Sequence, residues 1–270
     1  MLQSMKFVEP IERTLNSKFK FRCHKDISCF NKCCRLTDIL LTPYDILRMK
    51  KRLGISSEEF LKKYTYIHID EKSSHPYAML KMMDDNEEKC PFVTPDGCSI
   101  YEDRPTNCRY YPVGQGLMVM GSEKESVNPV RTGHSNGVNK DFYFFIREPK
   151  CLGYNEDKEW TIETWRIEQG VDLYDEMNRE WKEIQLRRDT LGQPKLDQKK
   201  QALIYMASYD IDSFRRFISE SKFLDLFDIN KEEVEKIKND ETALMKFGFK
   251  YLKYVLMLEE TLKVKEEYRK

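Results

Sequence analysis

The spacing of apolar positions changes near residue 155. Beyond that point they recur at helical intervals. Tyr174, Met177, Trp181 and Ile184 fall three or four residues apart and predict one buried helix face. Asn230 followed by Glu233 is a helix-start signature, and Val234 and Ile237 continue it. The longest stripe is Leu244, Phe247, Tyr251, Val255, Leu258 and Leu262. It predicts a final helix from about Asp240 to near the C-terminus.

Before residue 155 the apolar runs are shorter and punctuated. Thr42, Pro43 and Asp45 predict a capped helix start, with Gly54 where that helix stops. Ser56 and Glu59 repeat the signature and predict a second short helix through Tyr64. Residues 77–83, 117–121 and 142–146 predict strands, the last two separated by a polar loop. Asp96-Gly97 predicts a turn between Cys90 and Cys98 that brings their thiols together. The expected fold is α+β and helix-rich. Residues 1–155 form a cysteine-rich module with short strands, and 156–270 form a helical region packed on it as one unit.

Composition narrows the partners. Hydrophobic residues make up 40% of the chain, enough for a substantial core. Lys+Arg and Asp+Glu both total 46. That balance supplies no electrostatic case for nucleic acid or an acidic membrane, so neither is expected as a partner. No apolar run approaches the roughly 18 residues of a membrane span. The opening residues lack the apolar stretch of a secretory signal. The expectation is therefore a cytoplasmic protein, with a protein partner or substrate left open.

The distribution of cysteine carries the chemistry. Cys23, Cys29, Cys33 and Cys34 form one knot, and Cys90, Cys98 and Cys108 a second; Cys151 stands alone. In a reducing cytosol thiols stay reduced, and clustered cysteines hold metal more often than they form disulfides. Thiolates are soft donors suited to zinc or iron–sulfur clusters. Adjacent residues such as Cys33 and Cys34 point in different directions in a helix or a strand. They are thus expected to serve two metals, or one to ligate while the other packs. The simplest assembly folds the two knots onto each other around one or two centres, with Cys151 as an eighth ligand or a buried free thiol. A four-thiolate zinc or [4Fe–4S] site carries net negative charge, and Arg22, Lys32, Arg35, Arg104 and Arg109 lie close enough in sequence to offset it. His24, His68, His75 and His134 are weaker ligand candidates, the last three in polar or turn-like surroundings.

The stretch from Cys23 to Arg35, the step Leu-Thr-Pro-Tyr-Asp-Ile at 41–46, and the block from Cys90 to Pro112 together resemble the YkgJ-type cysteine-cluster family. That family is described as a zinc- or iron-chelating domain named for a CxxCxxCC motif. The resemblance covers about residues 20–115. It implies metal binding through Cys23, Cys29, Cys33, Cys34, Cys90, Cys98 and Cys108. Both gaps of the first knot are longer here than in the motif. Related domains occur in flagellin lysine N-methylases associated with an iron–sulfur cluster. The resemblance thus implies an iron–sulfur cluster, foremost [4Fe–4S], with zinc as the alternative cofactor.

Three functions follow as expectations: an iron–sulfur protein with a redox or catalytic role, a zinc-stabilised interaction module, and a lysine methyltransferase-like enzyme. Other signals fail on spacing. Cys29 and Cys33 begin a C-x3-C-x2-C pattern, but Leu36 stands at its third position. Gly114-Gln115-Gly116 lacks the remainder of a nucleotide loop.

Overall fold

The computed structural model describes residues 7–9, 11–120 and 138–268. The chain enters through strand β1 (Lys18–Lys20), and β2 (Leu40–Leu41) leads into helix α1 (Pro43–Leu53). Helix α1 starts where the sequence predicts. The Thr42 hydroxyl accepts from the Asp45 amide, Asp45 accepts in return from the Thr42 amide, and Gly54 ends the helix in left-handed geometry. Helix α2 (Ser57–Tyr64) is capped by Ser56. Strands β3 (Thr65–Ile69) and β4 (Pro76–Leu80) complete a three-stranded antiparallel sheet with β4 in the middle. The expected strand over 77–83 thus stops at Leu80. Beyond it, the Met83 amide turns aside to donate to the Lys89 carbonyl.

A short hairpin follows, β5 (Val93–Thr94) against β6 (Gly97–Cys98). Gly97 sits at φ 118°, a conformation that a side chain would strain. Helix α3 (Thr106–Tyr110) precedes the longest strand pair, β7 (Val113–Met120) and β8 (Val138–Phe145), joined antiparallel from Val113–Phe145 to Met120–Val138. The polar loop expected between them, and His134 with it, lies outside the described residues. Strand β9 (Glu159–Thr161) returns to pair with β1.

The rest is helical: α4 (Ile162–Gln169), α5 (Val171–Thr190), α6 (Gln198–Tyr209), α7 (Ile211–Glu220), α8 (Phe223–Leu226), α9 (Lys231–Asn239) and α10 (Glu241–Val255). Helix α5 buries Tyr174, Trp181 and Ile184 as the spacing requires. Asn230 caps α9 through the Glu233 amide. Helix α10 packs on α6, α9, α5 and α7. It approaches α6 so closely that a Cβ on Gly248 would meet the Ala207 carbonyl oxygen at 2.5 Å.

One expectation is corrected here. The final helix ends at Val255 and does not continue to the C-terminus. Met257 takes φ 52°, and the Lys253 carbonyl accepts from the Leu258 and Glu259 amides. The chain then folds back, so Leu258 and Leu262 are buried although neither is helical. Their spacing suits a helix face, but burial against the core selects a reversed tail.

Two apolar clusters result. The larger runs from Leu41 and Phe60 through Phe92 and Ile100 to Phe249 and Leu262, drawing on both sides of residue 155. The smaller gathers Phe19, Phe21, Tyr110, Phe145, Ile162 and Trp165. No helix among the described residues is long and apolar enough to cross a membrane.

Candidate metal centre

The cysteines are placed by backbone pairing, segment by segment. Beyond the β1–β9 pair, the Phe21 amide donates to the Lys158 carbonyl at 2.9 Å and the Arg22 amide to Gly153 at 3.0 Å. This lays Cys23 alongside the segment that follows Cys151. A string of tight turns from His24 to Asn31 then carries Cys29 inward, where its sulfur accepts from the Leu152 amide at 3.2 Å. Asn31, in left-handed conformation, enters a single 3-10 turn spanning Lys32–Cys34. Its side chain donates to the Thr94 carbonyl at 2.9 Å, which ties this turn to the β5–β6 hairpin. The Cys34 carbonyl accepts from the Cys90 amide at 2.8 Å. The hairpin then sets Cys98 opposite Val93.

Cys108 rides on α3, and Asp45 fixes α3. One Asp45 oxygen caps α1 through the Thr42 amide at 2.8 Å. The other accepts from the Thr106 amide at 2.9 Å and the Thr106 hydroxyl at 2.7 Å. The residue that reads in sequence as a helix cap is thus also the anchor of a cysteine-bearing helix 61 positions away. Burial pushes the Asp45 carboxyl up, which its hydrogen bonds oppose. Arg109 braces the same helix. It donates to the Arg104 carbonyl at 3.1 Å, the Gln169 carbonyl at 2.8 Å and the Tyr174 hydroxyl at 3.0 Å.

All eight cysteines line one cavity of about 500 Å³, and all are free thiols. Cys23, Cys33 and Cys108 are exposed residues, yet each lines this cavity. Cys33 and Cys34 correct the expectation that neighbours must diverge: their sulfurs are 4.0 Å apart. The 3-10 turn is neither the regular helix nor the strand on which that expectation rests. Among the described residues, however, no three cysteine, histidine or carboxylate side chains meet closely enough to clasp one ion. The thiols ring a space and do not converge on a point.

Electrostatics favour protonated thiols in the metal-free protein. Burial, aided by neighbouring thiols, pushes Cys23 up to about 11. Cys90 is also pushed up to about 11, chiefly by burial. Cys33 rises through its contact with Cys34 and through burial, and Cys108 rises well above its ordinary value through burial. Cys98 and Cys151 move the same way for the same first reason. A metal must therefore displace protons here, and its positive charge must replace what burial withholds.

The wall around the thiols is basic. Arg22, Lys32, Arg104, Lys150 and Lys158 line it against Asp96, Glu148 and Glu168. That excess suits an anionic thiolate centre. Of the basic residues expected from sequence, Arg22, Lys32 and Arg104 reach the cavity. Arg35 is instead paired with Glu87, and Arg109 is taken up by carbonyls. Lys150 and Lys158 were not legible as site residues, because only the β1–β9 pairing brings their segment to the first knot. Tyr111 was missed for a similar reason. Its buried hydroxyl has no nitrogen or oxygen partner and lies against the Cys151 thiol. Glu148 Oε2 is likewise buried on the cavity wall without a hydrogen bond, with Lys150 Nζ 3.7 Å away.

The histidines lie elsewhere. His24 faces Asp26 and Glu156, at 3.7 and 3.4 Å. His68 is exposed on β3. His75 contradicts its expected polar surroundings: it is 2% exposed, packed against Tyr77 and Trp181 in the core. Trp181 on α5 and the neighbouring Tyr77 cover it. None of these three lines the thiol cavity.

The donor set fits a thiophilic metal or cluster: eight reduced sulfurs and a basic wall at one cavity. Comparison with family models agrees. Residues 22–151 match the family CxxCxxCC, described as "Putative zinc- or iron-chelating domain". That span begins one residue before Cys23 and ends at Cys151. No curated protein and no solved structure matches the chain.

Proposed function

We propose, from the premise that residues 22–151 are a CxxCxxCC zinc- or iron-chelating domain, that the chain is an iron–sulfur protein whose cavity cysteines are the ligands. Cys23, Cys29, Cys33, Cys34, Cys90, Cys98, Cys108 and Cys151 supply the thiolates. One observation carries the choice of cluster over ion: the sulfurs surround about 500 Å³ without three of them meeting. A structural zinc site is closed and tetrahedral, with sulfurs about 3.8 Å apart as 2.3 Å bonds require. The Cys33–Cys34 pair, at 4.0 Å, is near that spacing, but among the described residues no third donor joins it. An inorganic core of several atoms fills the wider ring. A reducing cytoplasm, where eight unpaired thiols persist, is the compartment that suits this chemistry.

When bound, such a cluster supplies one-electron redox chemistry. The surrounding residues set its terms. The Leu152 amide donates to Cys29 sulfur, and a donor to a ligating sulfur stabilises the reduced, more negative state. Tyr111 stands ready to do the same at Cys151. Phe21, Phe92, Ile100 and Trp165 line the cavity and limit solvent access, which also governs the potential.

Anaerobic purification followed by iron, zinc and acid-labile sulfide analysis tests the proposal. Brown protein with iron and sulfide in equal amounts is the expected result. Colourless protein with stoichiometric zinc and no sulfide overturns it.

A further inference from the structure

The eight thiols are not spread evenly around the cavity. Three belong to one wall. Cys23, Cys29 and Cys151 are held by the pairing of residues 21–22 with 153 and 158 and by the Leu152–Cys29 hydrogen bond. Cys151 packs against the smaller apolar cluster. Three belong to the opposite wall. Cys90 and Cys98 flank the β5–β6 hairpin and pack on the larger cluster. Cys108 joins them on α3, held by Asp45.

The remaining two thiols stand between the walls. The turn bearing Cys33 and Cys34 is tied to the first wall by the Lys32 amide on the Cys29 carbonyl at 3.0 Å. It is tied to the second by the Cys90 amide on the Cys34 carbonyl at 2.8 Å.

We infer that the cavity houses two metal centres, one per wall, each taking three thiolates from its own wall and one from the Cys33–Cys34 pair. This inference rests on the metal-binding reading above and adds its stoichiometry and ligand partition. Four protein ligands close a structural zinc site and hold a cubane cluster alike, and no histidine among the described residues lines this cavity, so cysteines must supply them. A triad plus one, taken twice, uses every cysteine in the chain. A single centre would strand four thiols in a basic, partly desolvated wall with no role. The doubled cysteine has a physical purpose under this partition: adjacent residues are the shortest covalent link between two centres.

The test uses the full chain purified anaerobically, as wild type, Cys151→Ala and Cys98→Ala. Wild type is expected to carry two centres. Each variant is expected to keep about half the wild-type iron and sulfide, from opposite centres and with distinct spectra of the reduced state. A wild type with one centre overturns the inference while leaving the iron–sulfur proposal standing. So does a variant pair in which both lose all metal or both lose none. Metal-free wild type defeats the parent proposal as well. If a variant fails to fold, electron paramagnetic resonance of reduced wild type decides alone. Two spins this close broaden and split each other, and a single uncoupled spectrum rejects the second centre.

Discussion

Around α10, Phe214, Leu244, Phe249 and Leu252 are at most 1% exposed, and their partners are other apolar side chains. Around the thiol cavity, Cys23, Cys33 and Cys108 are exposed residues that line it. The strands that flank the cysteines, β1, β5, β6 and β9, are two or three residues long. Helix α10 is thus held by burial, each side chain completing its neighbour's environment. The cavity walls are held by scattered backbone hydrogen bonds and a few polar anchors, Asp45 and Arg109 chief among them. The difference teaches that the two regions respond to different insults. Removing an apolar atom harms the first. Removing whatever gathers the thiols harms the second.

The sharpest way to test that contrast is Cys33→Ser combined with Cys34→Ser. The pair joins both walls, so metal uptake should be abolished, as measured by metal content of the purified chain. Full metal content would reject the ligand assignment.

Metal removal should come next in effect. Structural zinc contributes roughly 10–16 kcal/mol in small peptides, against about 5–15 kcal/mol for a whole domain. Chelation should therefore open the cavity walls first. Amide exchange should accelerate across 22–110 while α10 stays protected. Uniform acceleration would erase the distinction between the regions.

Phe249→Ala tests the other side. A fully buried Phe truncated to Ala should cost about 3–5 kcal/mol, read from denaturant unfolding. The metal content of the folded fraction should not change. Loss of metal in that variant would mean that the apolar core also sets the cavity geometry.

The smallest effect is on acid stability. Burial, with Arg188 nearby, lowers the folded His75 pKa to about 3, below its ordinary 6.5. Neither ring nitrogen has a partner. A lowered folded value means that His75 supports folding above about pH 6.5 and withdraws that support as pH falls toward 3. His75→Phe should flatten the acid limb of the stability profile of metal-free protein between those values. An unchanged limb would assign acid sensitivity to other groups.

Legibility followed the range of the interactions. The starts of α1, α2 and α9 were readable because each cap lies within three residues of its partner. The β5–β6 hairpin was readable because Asp96-Gly97 has one economical conformation. The end of α10 was misread because Leu258 and Leu262 satisfy helical spacing whether or not the chain continues as helix. His75 was misread because its burial comes from Trp181, more than a hundred residues away. Cys33 and Cys34 stay close because neighbours diverge only in regular geometry, which the turn entered through Asn31 escapes.

By itself, the amino-acid sequence determined the chemical inventory: eight soft donors concentrated before residue 155, a helical remainder, and a family match confined to residues 22–151. Covalent spacing and local conformational preference suffice for those, since each is a property of neighbours along the chain. Only the tertiary structure decided that Cys151 joins the others, that Lys150 and Lys158 supply the basic wall, and that Asp45 anchors Cys108. It also divided the thiols into two walls. Those outcomes depend on strand pairing and burial between distant segments, where the energy of bringing groups together is fixed by the whole fold and by no single stretch of it.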